Sequence, residues 1–353
     1  MKEIYVPQSV STFYKLKSTA LSSPWGKFGI GVSKREFLLI NKLFNNKKVN
    51  YSNKYYTNRT LSEEFYDSNI NNIILKIAKE LKVNSIIEIG CGQGNLVKFL
   101  HKKKFQVLGY DPIISKNSRY LKKGYYPTAN NKQPADLYIL QCVLPHITQP
   151  KSYIESIFAI NKAAYIYIEF PNLNFILKNK LWYQFSYEHI NYFTFNYFQK
   201  YFNVMQRDTY LGGEWSYVLI KNKRHPTKST YITLYFYLIW CKFVLRKRKS
   251  DLKKIIKLVN NKTLFIFGSG GKGAMLAAHI YSQSKNLNIY MIDNDINKHN
   301  LFLGSSAIKV ISVEKALLLV KKNSLVIAAN PNHKCYVSNI FSSRCTILEL
   351  NTI

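Results

Sequence analysis

The chain has 353 residues, 47% of them hydrophobic, and 51 Lys and Arg against 19 Asp and Glu, a formal net charge of +32. That apolar mass excludes a disordered chain and suffices for two packed cores, because a domain typically holds about 100–200 residues. The five cysteines, Cys91, Cys142, Cys241, Cys335 and Cys345, lack CxxC or His spacing, which argues against a disulfide framework or a zinc site and for a reducing compartment. No run approaches the roughly 18 apolar residues of a spanning helix, and Met1-Lys-Glu-Ile-Tyr-Val-Pro7 has no apolar signal core, so the cytoplasm is the expected location. The excess charge is mostly Lys spread among Asn, Ile and Tyr without an RNA-binding signature. It disfavours a nucleic-acid partner and leaves attraction to anionic small molecules or to a membrane periphery.

In chain order, residues 1–64 read as an irregular, tyrosine-rich lead that includes Tyr56, with a helical pattern beginning near Leu61 and running to Leu81. Residues 65–222 alternate strand and helix signals. Strands are expected at 84–90, 105–110, 136–142 and 164–171, helices at 95–104 and 150–160, and two closing strands at 203–210 and 214–221. Residues 223–260 form a basic helical linker. Its apolar run from Tyr231 is too short to span a bilayer and fits a helix packed between domains or an amphipathic surface helix. Residues 261–353 repeat the strand, glycine turn and helix. The expected fold class is α/β, with two Rossmann-like doubly wound domains joined by a helical segment.

The most informative stretch is Ile86-Ile-Glu-Ile-Gly-Cys-Gly-Gln-Gly94, a buried strand running into a glycine turn and a helix. Gly90, Gly92 and Gly94 permit positive φ and a close ligand approach. The next strand ends in Asp111, 17 residues after Gly94, where a ribose diol would lie beside the turn. Glu88 decides between cofactors. A carboxylate there opposes a pyrophosphate but tolerates or favours a cofactor carrying a sulfonium and an amino acid, so the stretch reads as an S-adenosylmethionine site.

The second turn, Thr263-Leu-Phe-Ile-Phe-Gly-Ser-Gly-Gly-Lys-Gly273, has no carboxylate before its glycines and holds Lys272. It suits an anion such as a diphosphate. It is not a Walker A sequence, because the spacing and the Ser or Thr after Lys are missing.

Motif I of the class I methyltransferases is what residues 86–94 resemble, and residues 136–150 are similar to that family's fourth strand and following loop, with Pro145 where many members have Glu. The resemblance places Gln141 and Cys142 at the cofactor with Glu88, Gly90, Cys91, Gly92, Gly94 and Asp111. From roughly residue 50 to 335 the chain resembles the nucleotide-sugar C-methyltransferases. Ile168-Glu-Phe-Pro171 resembles their Glu-x-Pro, and Tyr187-Glu-His-Ile-Asn-Tyr-Phe-Thr194 is similar to their Glu-His-x-x-Tyr-Phe-Ser. Gly268, Ser269, Lys272 and Gly273 align with a Gly-Ala-x-x-Lys-Gly turn, while Asp293, Asn294 and Lys298 match the family's Asp followed by an Asn-Pro-Lys-like stretch. The family's four-cysteine zinc module has no counterpart in residues 1–50, and its Tyr-x-Glu-His becomes Ser186-Tyr-Glu-His.

The resemblance implies C-methylation of a nucleotide-linked keto-deoxysugar for a surface polysaccharide or secondary metabolite. A base removes the proton next to the ketone, and the enolate carbon attacks the sulfonium methyl. His189 is the first candidate base, with Glu188 orienting it or acting itself, and Tyr187 or Tyr56 holding the enolate oxygen. Asn172, Gly268, Lys272 and Asp293 are the candidate acceptor-binding residues, and no metal is expected. The alternatives are O- or N-methylation of another small phosphorylated or sugar metabolite, and a non-catalytic scaffold binding nucleotide sugars or nucleic acid.

Overall fold

A computed structural model describes residues 3–10, 12–48, 63–222, 231–348 and 350. The N-terminal segment is built of short strands: β1 (Ile4–Pro7), β2 (Phe13–Tyr14), β3 (Trp25–Phe28), β4 (Ile30–Ser33) and β5 (Leu38–Asn41), with a one-turn helix α1 (Lys17–Leu21) between the second and third. β1 pairs antiparallel with β3, and β4 with β5. An irregular lead was expected here, and these strands replace it. They span two to four residues, too few for a period-2 pattern to register, and β2 and β5 also pair with strands far along the chain.

The first domain runs α2 (Glu63–Glu80), β6 (Ser85–Ile89), α3 (Asn95–Lys102), β7 (Gln106–Asp111), β8 (Leu121–Lys123), β9 (Leu137–Gln141), α4 (Pro150–Ile160), β10 (Tyr165–Pro171), α5 (Leu173–Lys178), β11 (Asn191–Tyr192), α6 (Phe195–Tyr201), β12 (Asn203–Tyr210) and β13 (Trp215–Lys221). Its seven-stranded sheet has the order β12-β13-β10-β9-β6-β7-β8. The five strands from β10 to β8 are parallel, and β13 is antiparallel to both β10 and β12. Helices cover both faces of a parallel sheet, which is why β9 reads as an unbroken apolar run with Leu137, Tyr138, Ile139 and Leu140 all fully buried. α3 turns Leu96, Val97 and Leu100 inward.

After the 28-residue helix α7 (Ile232–Val259), the second domain contains β14 (Thr263–Phe267), α8 (Gly271–Gln283), β15 (Asn288–Ile292), β16 (Phe302–Leu303), β17 (Lys309–Ile311), α9 (Val313–Leu319), β18 (Leu325–Ala328), α10 (Lys334–Phe341) and β19 (Thr346–Leu348). The sheet order is β19-β18-β14-β15-β17-β16-β2. The first five are parallel, and two antiparallel strands finish the edge, the last being β2 from the chain's beginning. In both sheets the winding reverses beside the first strand, between β6 and β9 and between β14 and β18. That reversal opens a crevice at the strand ends where the glycine turns lie.

The two halves share a core. Val6 and Phe28 from the N-terminus, Phe185 and Tyr187 from the first domain, Val244 and Ile255 from α7, and Met275 from α8 belong to one buried cluster. β11 extends the β4–β5 pair. Trp182 Nε1 donates to Asp251 Oδ2 of α7 at 3.0 Å, and the Tyr183 hydroxyl donates to the Ala329 carbonyl at 3.0 Å. Packing of this kind fixes the two turns relative to each other.

Gly273 shows how little room the second turn leaves. A Cβ there would sit 1.7 Å from the Gly268 carbonyl oxygen, so any side chain must push α8 away from β14. Gly273→Ala is expected to destabilise the protein by about 2–4 kcal/mol in urea or thermal unfolding. Wild-type stability of this variant would contradict the close helix-to-strand approach.

Candidate active site

The first turn has the backbone that its glycines predicted: φ is 74° at Gly90, 54° at Gly92 and 76° at Gly94, all in the left-handed region. The N–H groups of Gly90 and Cys91 both donate to the Tyr110 carbonyl, at 2.8 and 3.2 Å, which clamps the turn to the end of β7. Asp111 completes the clamp. Its Oδ2 accepts the Gly92 N–H at 2.8 Å and its Oδ1 the Ile113 N–H at 2.9 Å. A carboxylate offers about four acceptor sites, so capacity remains for the hydroxyls of a ribose.

Glu88 is 3% exposed and lines the same cavity. A cationic cofactor fits a turn with two carboxylates at its mouth and glycines where a Cβ would fill space: at Gly90 it would meet Val143 at 2.3 Å. Cys91 lies behind the turn, its sulfur 2.7 Å from where a Gly109 Cβ would be. Burial first, then the charges of Glu88 and Asp111, push its thiol pKa up, so it is inert packing that offers the cofactor only backbone.

Gln141 and Cys142 stand at the end of β9, and both are held by Glu169, which is fully buried on β10. Gln141 Nε2 donates to Glu169 Oε2 at 3.3 Å and the Cys142 thiol to Oε1 at 3.4 Å. Cys142 has φ 55°, a strained conformation for a residue with a Cβ, stabilised further by its N–H bond to the Glu169 carbonyl at 3.1 Å. Glu169 was not among the sequence candidates. The Glu-x-Pro stretch was the signal for it.

Glu188 and His189 line the cavity wall with His146. The two imidazoles meet edge-on, with centroids 5.0 Å apart, and the His146 ring is hydrogen-bonded to the Glu188 backbone carbonyl. Burial lowers the His146 pKa to about 4 despite that bond. Burial and then His146 lower that of His189 to about 3. Both rings are neutral near pH 7.

Tyr187 is not in this group. Its ring packs against Phe44 at 5.4 Å and over Gly26, where a Cβ would lie 2.4 Å from it, and its hydroxyl accepts the Asn45 N–H at 3.1 Å. The expected catalytic tyrosine is thus a core residue, its side chain turned to the N-terminal strands. Tyr56 lies outside the described residues.

In the second turn, Gly268 has φ 90° and its N–H donates to the Ile292 carbonyl at 2.8 Å. Asp293 Oδ2 accepts the Ser269 N–H at 2.9 Å, the Ser269 hydroxyl at 2.5 Å and Lys298 Nζ at 3.2 Å, while Oδ1 accepts the Asp295 N–H at 2.9 Å. Those bonds use the carboxylate's acceptor capacity, so Asp293 holds the turn and its expected substrate contact gives way to that role.

Lys272 lines the cavity, but its ammonium is paired with Glu214 from the turn between β12 and β13. Glu214 Oε2 also accepts Asn330 Nδ2 at 2.7 Å. Burial raises the Glu214 pKa, yet the Lys272 charge, the hydrogen bonds from Lys272 and Asn330 and the charge of His333 outweigh it and hold the carboxyl below its usual range. An acceptor anion at Lys272 therefore competes with Glu214 or adds to the pair. Asn172 does not line the cavity; it caps α5, accepting the Asn174 N–H at 3.0 Å and donating to the Gly213 carbonyl at 2.8 Å. It positions the turn that carries Glu214.

One cavity of about 1470 Å³ joins the two turns, with Glu88, Asp111, Glu188, His189, Lys272 and Gly268 in its walls. It exceeds the roughly 300–1,000 Å³ of ordinary ligand pockets and has room for a cofactor and an acceptor. Among the described residues no group of three or more His, Cys, Asp or Glu is placed to hold a metal ion. No helix among them is long and apolar enough to cross a membrane.

Residues 59–204 match the model of a family described as a methyltransferase domain. No curated protein matches the chain. Three solved structures similar to it each cover less than half its length. An S-adenosylmethionine-dependent methyltransferase from Clostridium acetobutylicum is 12% identical, covering 45% of this chain and 97% of its own, with a TM-score of 0.35. The human N-acetylserotonin methyltransferase, solved with S-adenosylmethionine, is 16% identical over 44% of this chain and 52% of its own, with a TM-score of 0.36. The N-methyltransferase NodS from Bradyrhizobium japonicum is 12% identical over 46% and 100%, with a TM-score of 0.34.

The family match, the reversed strand β13 and the glycine turn with its two acids define a class I methyltransferase domain. Residues 59–204 are thus the methyltransferase domain of this chain, with S-adenosylmethionine as its cofactor.

The depressed imidazoles have a consequence for stability. His146 and His333 are lowered to about 4, His189 and His279 to about 3, in each case chiefly by burial. Between those values and the unfolded value near 6.5, the unfolded chain binds protons that the folded one does not. Their contribution is complete above pH 6.5 and is lost as the pH falls toward 3. The melting temperature is therefore expected to drop steadily below pH 6.5, and His279→Gln to flatten that slope. A melting temperature flat from pH 7 to 4 would contradict buried neutral imidazoles.

Proposed function

We propose that the enzyme methylates the carbon beside the ketone of a nucleotide-linked keto-deoxysugar. The observation that carries this reading is the cavity that joins the two glycine turns, with Glu188 and His189 also lining it. A site for one small acceptor would need only the first turn. A second phosphate-type turn facing the first suits an acceptor with a diphosphate tail, and the sequence resemblance points to the same class. The five cysteines are free thiols, in keeping with the cytoplasm as its location.

Bound S-adenosylmethionine supplies an electrophilic methyl group on a sulfonium. The chain must take a proton from the acceptor, hold the resulting oxyanion and exclude water. A wall that lowers the His189 pKa to about 3 makes it a poor proton acceptor, although it stays neutral across the working range. Glu188, 3% exposed beside it in the same wall, takes the proton. A neutral imidazole is well suited to donate to an enolate oxygen, because the charge it meets develops only as the proton leaves. His189 thereby takes the part that Tyr187 cannot. Glu169 fixes Gln141 and Cys142 at the cofactor side of the cavity.

O- or N-methylation needs no carbon acid, which gives a clean distinction. With a keto-sugar nucleotide in heavy water, the native enzyme is expected to exchange the α-proton. Glu188→Gln should slow exchange and methyl transfer together by about 10²-fold or more, with S-adenosylmethionine binding retained. Methyl transfer to oxygen or nitrogen without exchange would place the enzyme in the other class.

A further inference from the structure

Helix α7 is 28 residues long, and one side of it is buried through Leu234, Cys241, Val244, Leu245, Leu252 and Ile255. The opposite side carries large apolar residues in full view of solvent. Ile232 is 64% exposed, Phe236 68%, Ile239 65% and Phe243 57%, with Tyr235 and Trp240 beside them. Their spacing of three and four residues makes one continuous stripe. The same stripe continues toward the C-terminal end as Arg246, Lys253, Lys254 and Lys257, all exposed. The only carboxylate in the helix, Asp251, is buried in its pair with Lys247.

Isolated exposed apolar side chains are ordinary, but an aligned set of aromatic and aliphatic residues on one helix face marks a contact surface. We propose that this face of α7 seats the enzyme on an anionic lipid surface. The apolar turns lie among the acyl chains, with Tyr235 and Trp240 at the flanks where amphipathic rings favour the headgroup boundary. The basic turns run along the phosphate plane on the same face, and the chain's net charge of +32 adds long-range attraction.

A second copy of the chain fits this face poorly. Parallel pairing of two such helices sets basic half against basic half, and antiparallel pairing sets ammonium groups on apolar side chains. Neither arrangement neutralises charge, whereas an anionic leaflet satisfies both halves of the stripe.

The test is co-sedimentation of the full chain with phosphatidylcholine vesicles, with and without about one-third phosphatidylserine, at low and physiological salt. The native protein should bind the anionic vesicles at least about tenfold more tightly than the neutral ones, and more weakly as salt rises. Phe236→Glu with Ile239→Glu should abolish binding to both, and Lys253→Glu with Lys257→Glu should abolish the preference for phosphatidylserine. All these residues are exposed, so the variants should keep the native melting temperature and cofactor binding. The proposal is overturned if the native chain stays in solution, if either variant binds as the native does, or if sedimentation velocity shows a dimer that Phe236→Glu with Ile239→Glu dissociates.

Discussion

A carboxylate at the end of the second strand grips the backbone of the glycine turn that follows the first strand, and the chain uses this device twice. Asp111 takes the Gly92 N–H at 2.8 Å, and Asp293 takes the Ser269 N–H at 2.9 Å. The first amides of each turn still pair with the neighbouring strand, at the Tyr110 and Ile292 carbonyls; the next, at Gly92 and Ser269, lie beyond it, and an ionised acceptor satisfies them more strongly than water or a neutral group does. What differs is the remaining capacity. Asp111 retains acceptor sites for a ligand's hydroxyls, whereas Asp293 is saturated by Ser269, Asp295 and the buried Lys298. One carboxylate keeps acceptor capacity and the other is filled.

The two latches function together because the domains cannot drift apart. β2 completes the second sheet, β4 and β5 receive β11 from the first domain, and α7 packs across both. At the mouth of the cavity the Glu214–Lys272 pair ties the β12–β13 turn to the N-terminus of α8. A buried pair contributes little net stability, since desolvation offsets most of the attraction, but leaving either charge alone there is costly. The pair is better understood as a geometric constraint, holding the β12–β13 turn against the second glycine turn.

Much of the sheet architecture was legible because parallel strands buried on both faces write themselves as short Ile, Leu, Val and Tyr runs ended by glycine. β6, β9, β14 and α4 lie within the ranges expected from sequence. The N-terminal strands were not legible, since they are only two to four residues long and β2 and β5 also pair with strands far along the chain. In the site, Gly90, Gly92 and Gly94 could be found because positive φ restricts residue choice, and Asp111 because its spacing is set by one βαβ unit. Glu169 and Glu214 act across separations of 28 and 58 residues; Glu-x-Pro marks the first, and no local pattern marks the second. Tyr187 was misplaced because the chain bends at residues 187 and 188, which sends its ring to the N-terminal strands while Glu188 and His189 stay in the cavity wall. Asn172 was misread because a helix cap and a ligand contact draw on the same residue types.

The central claim is that Asp111 and the glycine turn bind S-adenosylmethionine, and isothermal calorimetry with S-adenosylhomocysteine on the native chain and on Asp111→Ala tests it most directly. Saturable binding to the native protein is expected, weakened by about 10²-fold or more when both the hydroxyl contact and the Gly92 latch are gone. A folded native protein that binds nothing, or an Asp111→Ala variant that binds equally well, would contradict it.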